Sequence, residues 1–156
     1  MIWETSNFIN KKNCEMLMKF HENNFKNLLG INSHYHRNTE ALQLSDMTKI
    51  DVCKQLTADI IFYIRKIESR AFINYFQIVK WPTSEYQDFH IDRSIHPLTS
   101  IVYLNDNYEG GQTIIEDKII NPEQGKIITF MGNKLTHKVE KITKGVRFTL
   151  ATWFKV

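Results

Sequence analysis

The order of apolar and polar positions divides this chain into a helical first part and a strand-rich second part. In residues 11–29, Met16, Phe20 and Leu28 lie near one face of a helix. In residues 47–69, apolar side chains recur at steps of three and four, at Val52, Leu56, Ile60, Tyr63 and Ile67. These spacings predict two amphipathic helices. Residues 30–46 have no clear period, so we expect an irregular connection with room for a short strand.

After Arg70 the pattern changes to short apolar runs rich in Ile, Val, Thr and aromatic residues. The runs, separated by Pro, Gly and Asn, cover residues 71–81, 99–105, 112–117, 125–131 and 145–154. Helices followed by strands indicate an α+β domain with the helices on one face of an antiparallel sheet system. We expect two facing sheets and a helix layer under one of them, formed by Met16, Phe20, Leu56, Ile60 and Tyr63.

Length and composition fit one domain, because 156 residues of which 42% are hydrophobic can bury one core. We expect a single domain over residues 1–156, with helical support at about 8–69 and a β core at about 72–154. The sequence contains neither an apolar run long enough to span a membrane nor the apolar core of a signal peptide. We therefore expect a soluble cytoplasmic protein without a membrane partner. Its abundant Ile, Asn and Lys suggest a microbial or virus-infected cell.

The charged residues argue against nucleic acid as a partner. The formal net charge is +3, and Lys and Arg are interleaved with acidic residues without a run of five like charges. Cys14 and Cys53 fall in the two predicted helices and lack a C-x-x-C arrangement, so we expect buried free thiols rather than a disulfide or a zinc site. The oligomeric state has no signal in the sequence.

The stretch FHIDRSIH, residues 89–96, carries candidate chemistry. In an extended segment, residues i and i+2 point to the same side, so His90 and Asp92 can present an imidazole and a carboxylate to one point. The triplet alone also fits a solvated histidine and an aspartate that caps a turn before Pro97. A third candidate ligand, His137, starts a predicted strand after a Gly-Asn turn. Two histidines and one carboxylate are typical of non-haem Fe(II) oxygenases.

A basic residue follows at a suggestive place. Arg147 comes ten residues after His137, in a predicted strand whose neighbours Val146, Phe148 and Leu150 are apolar. A buried guanidinium is costly unless it meets an anion. Since guanidinium presents two parallel donors to a carboxylate, the sequence predicts that Arg147 meets an anion.

Together, the segments FHID, LTSIVYLNDNYEGGQTII and THKVEKITKGVRFTLATWF resemble the core of the 2-oxoglutarate and Fe(II)-dependent oxygenases of the prolyl 4-hydroxylase type, over roughly residues 73–154. The resemblance implies a double-stranded β-helix, or jelly-roll, core with supporting N-terminal helices. It implies that His90, Asp92 and His137 are the iron ligands and that Arg147 holds the distal carboxylate of 2-oxoglutarate. Tyr103 either directs its phenol to that carboxylate or is a core tyrosine. Thr149 is a candidate for a further hydroxyl in the pocket.

The resemblance also implies an activity and its cofactors. We expect a dioxygenase that uses Fe(II), 2-oxoglutarate and O2, with ascorbate as an additive in vitro, and releases succinate and CO2 while it hydroxylates an unactivated C–H bond. The expected substrate is a prolyl residue in a peptide or protein. Another amino-acid side chain or a small metabolite is the alternative, and a non-catalytic jelly-roll binding module is a second one. Because Asp92 is present, hydroxylation is favoured over halogenation.

The segment before the H-x-D triplet departs from the family pattern. Trp81 stands where many relatives have a tyrosine, and the glycines of their flexible loop are missing from KWPTSEYQDFHID. Trp81, Tyr86 and Trp153 are candidates for contact with the substrate, or they are apolar lids without such a role. Because His96 precedes Pro97, we expect it to lead the chain away from the metal. His34 and His36 are expected at the surface.

Overall fold

The computed structural model describes residues 1–25, 32–34, 38–44 and 51–156, and these ranges contain two helices and thirteen strands. The helices are α1 (Lys11–Asn24) and α2 (Asp51–Arg65). The first seven strands are β1 (Ile2–Thr5), β2 (Asn32–His34), β3 (Glu40–Leu44), β4 (Phe72–Trp81), β5 (Gln87–His90), β6 (Leu98–Tyr103) and β7 (Glu109–Gly110). The other six are β8 (Thr113–Ile115), β9 (Lys118–Ile120), β10 (Ile127–Phe130), β11 (His137–Val139), β12 (Ile142–Lys144) and β13 (Arg147–Lys155). Neither helix is long and apolar enough to cross a membrane.

Helix α1 buries a different face from the one predicted. Its N-cap is Asn10, whose side chain accepts a hydrogen bond from the Asn13 backbone N–H at 2.8 Å. The buried residues of α1 are Cys14, Leu17 and His21, whereas Met16 is 43% exposed and Phe20 is half-buried against the core. The expectation that Met16 packs under the sheet was therefore wrong. Met16 lies one residue, or about 100° of helical rotation, from the buried Leu17.

Helix α2 confirms the predicted face. Leu56 and Ile60 are buried and Tyr63 is packed against the same core cluster. The thiols of Cys14 and Cys53 are both buried and free, as expected. Leu28, His36 and the side chains of His34 and Val52, which the sequence assigned to helix faces or to the surface, lie outside the described residues.

The described strands form three antiparallel sheets. The largest has the order β1-β10-β6-β13-β4-β3-β2, the second β5-β11-β8-β9, and β12 pairs with β7. The five strands predicted after residue 70 are all present, as β4, β6, β8, β10 and β13. Segment 30–46, expected to be an irregular connection with room for a short strand, contains two strands, β2 and β3, which pair with each other, and β3 also pairs with β4. The N-terminal β1 also joins the large sheet, so the sheet recruits strands from outside the predicted β core.

Strand β13 lies between β4 and β6 in the middle of the large sheet, and its two faces have different roles. Phe148, Leu150 and Phe154 belong to the core cluster that also contains the buried faces of both helices. The alternate residues Arg147, Thr149, Ala151 and Trp153 line a cavity on the opposite face. This alternation follows from the two-residue period of a strand.

Candidate metal centre and cavity

The three candidate ligands come together beside the cavity. His90 ends β5 and His137 begins β11, and these two residues are direct partners in the antiparallel pair. Their rings therefore lie side by side, with centroids 4.2 Å apart. Asp92 lies two residues beyond the end of β5, where its backbone N–H donates to the Gly132 carbonyl at 2.8 Å. The i, i+2 geometry inferred from the sequence thus brings both groups to one point, although the strand ends at His90.

The spacing of the ligand atoms suits a single metal ion. Asp92 Oδ1 lies 3.7 Å from His137 Nε2 and 3.9 Å from His90 Nε2, and one ligand atom from each residue lies within 4.8 Å of the others. Imidazole nitrogens and a carboxylate oxygen are donors that iron accepts, and a set of three leaves open positions on the metal. The residues present therefore fit a non-haem iron site.

Hydrogen bonds fix the protonation of both imidazoles. His90 Nδ1 donates to the Asp88 carbonyl and His137 Nδ1 donates to the Leu135 carbonyl, each at 2.9 Å. Since a carbonyl can only accept, Nδ1 carries a proton in each ring, and in the neutral imidazole the lone pair is therefore on Nε2. Both Nε2 atoms face Asp92, so the two rings are oriented for metal binding before an ion arrives.

The Asp92 carboxylate is held by one oxygen and offers the other. Thr99 Oγ1 donates to Asp92 Oδ2 at 2.5 Å, which leaves Oδ1 for the histidine side of the site. Burial alone would raise the pKa of Asp92, but the neighbouring His137 ring and the hydrogen bond from Thr99 outweigh it, and the pKa lies below its ordinary value. The group is therefore an anion at neutral pH, as a metal ligand must be.

Gly132 closes the outer side of this carboxylate. A Cβ atom at position 132 would lie 2.3 Å from Asp92 Oδ2 and 2.4 Å from Thr99 Oγ1. Only a residue without a side chain leaves room for the carboxylate and its threonine partner. The sequence identified this glycine as part of a turn, and nothing in the local pattern signalled its contact with Asp92.

Arg147 lies at the buried end of a cavity of about 230 Å³ that also contains the three candidate ligands. Its side chain is 1% exposed, and Nη2 donates to Thr113 Oγ1 at 3.2 Å. Its Nε has no hydrogen-bond partner, and no carboxylate in the described ranges forms an ion pair with it. A guanidinium this buried is stable only with an anion beside it, so the cavity is built to receive an anionic ligand.

Tyr103 supports this end of the cavity from behind. Its ring lies 5.7 Å from the guanidinium carbon of Arg147, and its hydroxyl donates to Thr113 Oγ1 at 2.6 Å. Burial raises the pKa of Tyr103, which keeps the phenol protonated and able to donate. Thr113 lines the cavity and Tyr103 does not. Because Thr113 Oγ1 already accepts from Tyr103 and Arg147, its own O–H is the part of the hydroxyl left to donate to a ligand. Thr113 belongs to the family-like segment LTSIVYLNDNYEGGQTII, and its local sequence pattern gives no sign of this role.

The remaining candidates divide between the cavity and its surroundings. Thr149, Trp81 and Trp153 line the cavity, where the Trp81 ring lies 5.2 Å from the Arg147 guanidinium carbon. Trp153 stacks on Tyr75 with centroids 4.8 Å apart. Tyr86 lies outside the cavity, in a separate surface groove.

His96 corrects one expectation. It does not lead away from the metal site but lines the same cavity, almost fully buried. Its Nε2 accepts a hydrogen bond from Asn74 Nδ2 at 2.9 Å, and its edge meets the Tyr75 ring. Burial lowers the pKa of His96, so the ring is neutral at neutral pH. The Pro97 restriction shaped only the backbone and did not determine where the side chain points.

Comparisons with known proteins agree with this geometry. The sequence-family model of the 2OG-Fe(II) oxygenase superfamily matches residues 76–155 of this chain. Human prolyl 3-hydroxylase 2 is 34% identical over 64 aligned residues, and the match covers 36% of this chain and 9% of the relative's length. A Pseudomonas putida prolyl-4-hydroxylase structure has a TM-score of 0.82 at 16% identity, covering 99% of this chain and 91% of that one.

A prolyl hydroxylase from Trichoplax adhaerens, in complex with a peptide fragment of the hypoxia inducible factor oxygen degradation domain, has a TM-score of 0.79 at 17% identity. That match covers 99% of this chain and 83% of the other. These likenesses confirm the double-stranded β-helix fold that the sequence predicted. With its family-model match over half of its length, the chain belongs to the 2OG-Fe(II) oxygenase superfamily.

Proposed function

We propose that this protein is a 2-oxoglutarate-dependent Fe(II) dioxygenase that hydroxylates a prolyl residue in a peptide or protein. The observation that carries the proposal is the shared cavity. Two histidines and an aspartate with preset donor atoms open into the same 230 Å³ space as a buried arginine without a carboxylate partner in the described ranges. A metal-binding set beside an anion-binding group is what a dicarboxylate cosubstrate that chelates iron requires.

In this proposal His90 and His137 bind iron through Nε2, and Asp92 binds it through Oδ1. When bound, Fe(II) together with 2-oxoglutarate and O2 supplies the oxidation of the C–H bond, with release of succinate and CO2. The protein's contribution is to hold the ligands in place, because the carbonyls of Asp88 and Leu135 orient the two rings.

Arg147 binds the distal carboxylate of 2-oxoglutarate through its guanidinium. The Thr113 hydroxyl donates a second hydrogen bond to the same carboxylate, and Tyr103 acts through Thr113 rather than by direct contact. Thr149 lines the cavity next along β13 and adds a polar wall. Trp81 covers the guanidinium face, which excludes water and strengthens the charge-assisted hydrogen bonds.

The prolyl substrate is supported by the aromatic wall and by the named relatives. Trp153 and its stacking partner Tyr75 present flat apolar surfaces in the cavity that suit a pyrrolidine ring. The relatives include prolyl 3- and prolyl 4-hydroxylases, so the hydroxylated ring carbon is left to experiment. Another amino-acid side chain, a small metabolite and a binding module without turnover are the competing hypotheses.

Succinate release tests the proposal. Purified protein with Fe(II), 2-oxoglutarate and ascorbate is offered a panel of proline-containing peptides and free amino acids, and products are analysed by mass spectrometry. We expect succinate together with one added oxygen on a prolyl residue, whose position NMR identifies. Tyr86→Phe is the control variant, because Tyr86 lies outside the cavity and its replacement should leave succinate release at the wild-type level. Oxygen added only to a non-prolyl residue or a free metabolite would replace the substrate, and peptide binding without any succinate would favour a binding module.

A further inference from the structure

We propose that Arg93 selects substrates that carry a carboxylate close to the hydroxylated residue. The proposal rests on the proposed function, since it deepens the substrate class of the same cavity. Arg93 follows Asp92 in the sequence and lines the cavity. Its side chain is exposed, whereas Arg147, in the same cavity, is buried.

The charges of the loaded site balance without Arg93. Besides the candidate ligand Asp92, the described residues that line the cavity carry only two ionised side chains, Arg147 and Arg93, because burial keeps His96 neutral. Divalent iron, the Asp92 carboxylate, the Arg147 guanidinium and the two carboxylates of 2-oxoglutarate together sum to zero charge. Arg93 then remains as the single uncompensated charge on the wall of the loaded site.

Among the described residues, the Arg93 guanidinium has no partner. Neither an ion pair nor a side-chain hydrogen bond engages its guanidinium within the described residues. Its positive charge is nevertheless felt in the cavity, since Arg93 and Lys155 both disfavour a proton on His96. A cation at a cavity mouth that no protein carboxylate neutralises attracts an anionic group on the incoming molecule.

Hydrogen bonds on both sides hold the backbone that carries Arg93. On one side, the Asp92 N–H donates to the Gly132 carbonyl at 2.8 Å, and on the other the His96 N–H donates to the Arg93 carbonyl at 2.9 Å. Asn133 Nδ2 donates to the Ser94 carbonyl at 3.3 Å. The side chain therefore starts from a set position at the mouth, so a partner carboxylate is recognised at a limited range of distances from the metal ligands.

The carboxylate can come from two sources, which the experiment separates. One is an Asp or Glu side chain near the target proline in a peptide, and the other is the α-carboxylate of a C-terminal or free proline. The first peptide set has a central proline. At each of the two positions before it and the two positions after it, a peptide with Asp is compared with the same peptide carrying Asn. A second set ends in proline as a free acid or as an amide, and free L-proline completes the panel.

Two readouts are taken for wild type, Arg93→Gln, Arg93→Lys and the control Arg70→Gln. The first is kcat/KM for succinate release, and the second is affinity for fluorescein-labelled peptides by anisotropy, which needs no turnover. We expect wild type to prefer one acidic or free-acid peptide over its neutral isostere by about fivefold, as for a partly exposed ion pair. Arg93→Gln should bring this ratio to about one, whereas Arg93→Lys should keep most of it. Arg70 is an exposed arginine paired with Glu68, so its variant should retain the wild-type ratio.

The outcomes distinguish the two proposals. Equal affinity and equal kcat/KM for charged and neutral peptides in wild type, or a preference that survives Arg93→Gln, overturns the role of Arg93. Absence of succinate with every substrate overturns the proposed function, and the anisotropy ratios still decide the role of Arg93. A preference confined to the free-acid peptides or L-proline assigns the α-carboxylate as the partner group.

Discussion

Replacing Gly132 by alanine should disable metal binding without removing any candidate ligand. The new Cβ would lie 2.3 Å from Asp92 Oδ2, whereas ordinary contact begins near 3.4 Å, so the carboxylate or the Gly132 backbone must retreat by about 1 Å. The retreat also strains the 2.5 Å hydrogen bond from Thr99, since the same Cβ crowds Thr99 Oγ1. Loss of support behind a ligand typically lowers metal affinity by about 10- to 100-fold. Crowding a packed site costs roughly 1–3 kcal/mol of stability.

Calorimetric titration with Mn(II), which substitutes for Fe(II) without oxidation, measures the affinity, and thermal unfolding measures stability. Thr99→Val separates the two effects because it removes the hydrogen bond to Asp92 without adding bulk, so we expect a smaller loss of affinity. Thr152→Val is the matched control, because Thr152 is a buried threonine whose hydroxyl has no hydrogen-bond partner among the described residues. Mn(II) affinity within twofold of wild type in Gly132→Ala would refute the argument that this glycine positions the carboxylate.

Three further predictions follow from the site and the core. His90→Ala, Asp92→Ala and His137→Ala should each abolish Fe(II)-dependent turnover while circular dichroism stays native, and full activity in one variant would exclude that residue as a ligand. Arg147→Ala should raise the KM for 2-oxoglutarate about tenfold or more, since charge-assisted hydrogen bonds contribute roughly 1.5–3 kcal/mol, with Mn(II) affinity unchanged; the reverse pattern would make Arg147 structural. Burial holds the pKa of His21 below its ordinary value of 6.5 in the folded state. As pH falls below 6.5, the unfolded state takes up a proton that the folded state does not, so the free energy of unfolding decreases. Above that pH both states are neutral at this residue and the decrease is absent. Urea unfolding at several pH values should show a weaker loss of stability on acidification in His21→Gln than in wild type, and parallel curves would contradict this.

Long periodic segments and the ligand types could be predicted from the sequence because they depend on local order. The i, i+2 relation of His90 and Asp92 and the apolar neighbours of Arg147 are local, and both led to the cavity. Choosing between Met16 and Leu17 on α1 was harder, since adjacent apolar residues give overlapping helical faces. Strands of two or three residues, such as β7 and β12, are too short to show a period.

Contacts between distant parts of the chain could not be predicted in the same way. Gly132 approaches Asp92 across forty positions of sequence, and a glycine in a turn has the same local pattern whether or not a carboxylate lies against it. Thr113 acquires its role only when the sheets bring Tyr103 and Arg147 to its hydroxyl. His96 was judged from the proline after it, whereas the position of its ring depends on Asn74, in another strand.

The cavity-lining residues of strand β13 lie at regular depths and therefore set how far a bound molecule can extend along the cavity. A strand rises about 3.3 Å per residue, so the four alternate positions from Arg147 to Trp153 mark depths separated by roughly 6.6 Å each. A bulky residue in place of Ala151 would fill the cavity at that position and leave the Arg147 end unchanged. Inserting one residue after Arg147 would instead turn the later cavity-lining side chains of β13 to the opposite face of the sheet, into the core that contains the helices. The depth of the cavity can therefore be adjusted by substitution along the strand, but the alternation of cavity-facing and core-facing residues cannot be shifted.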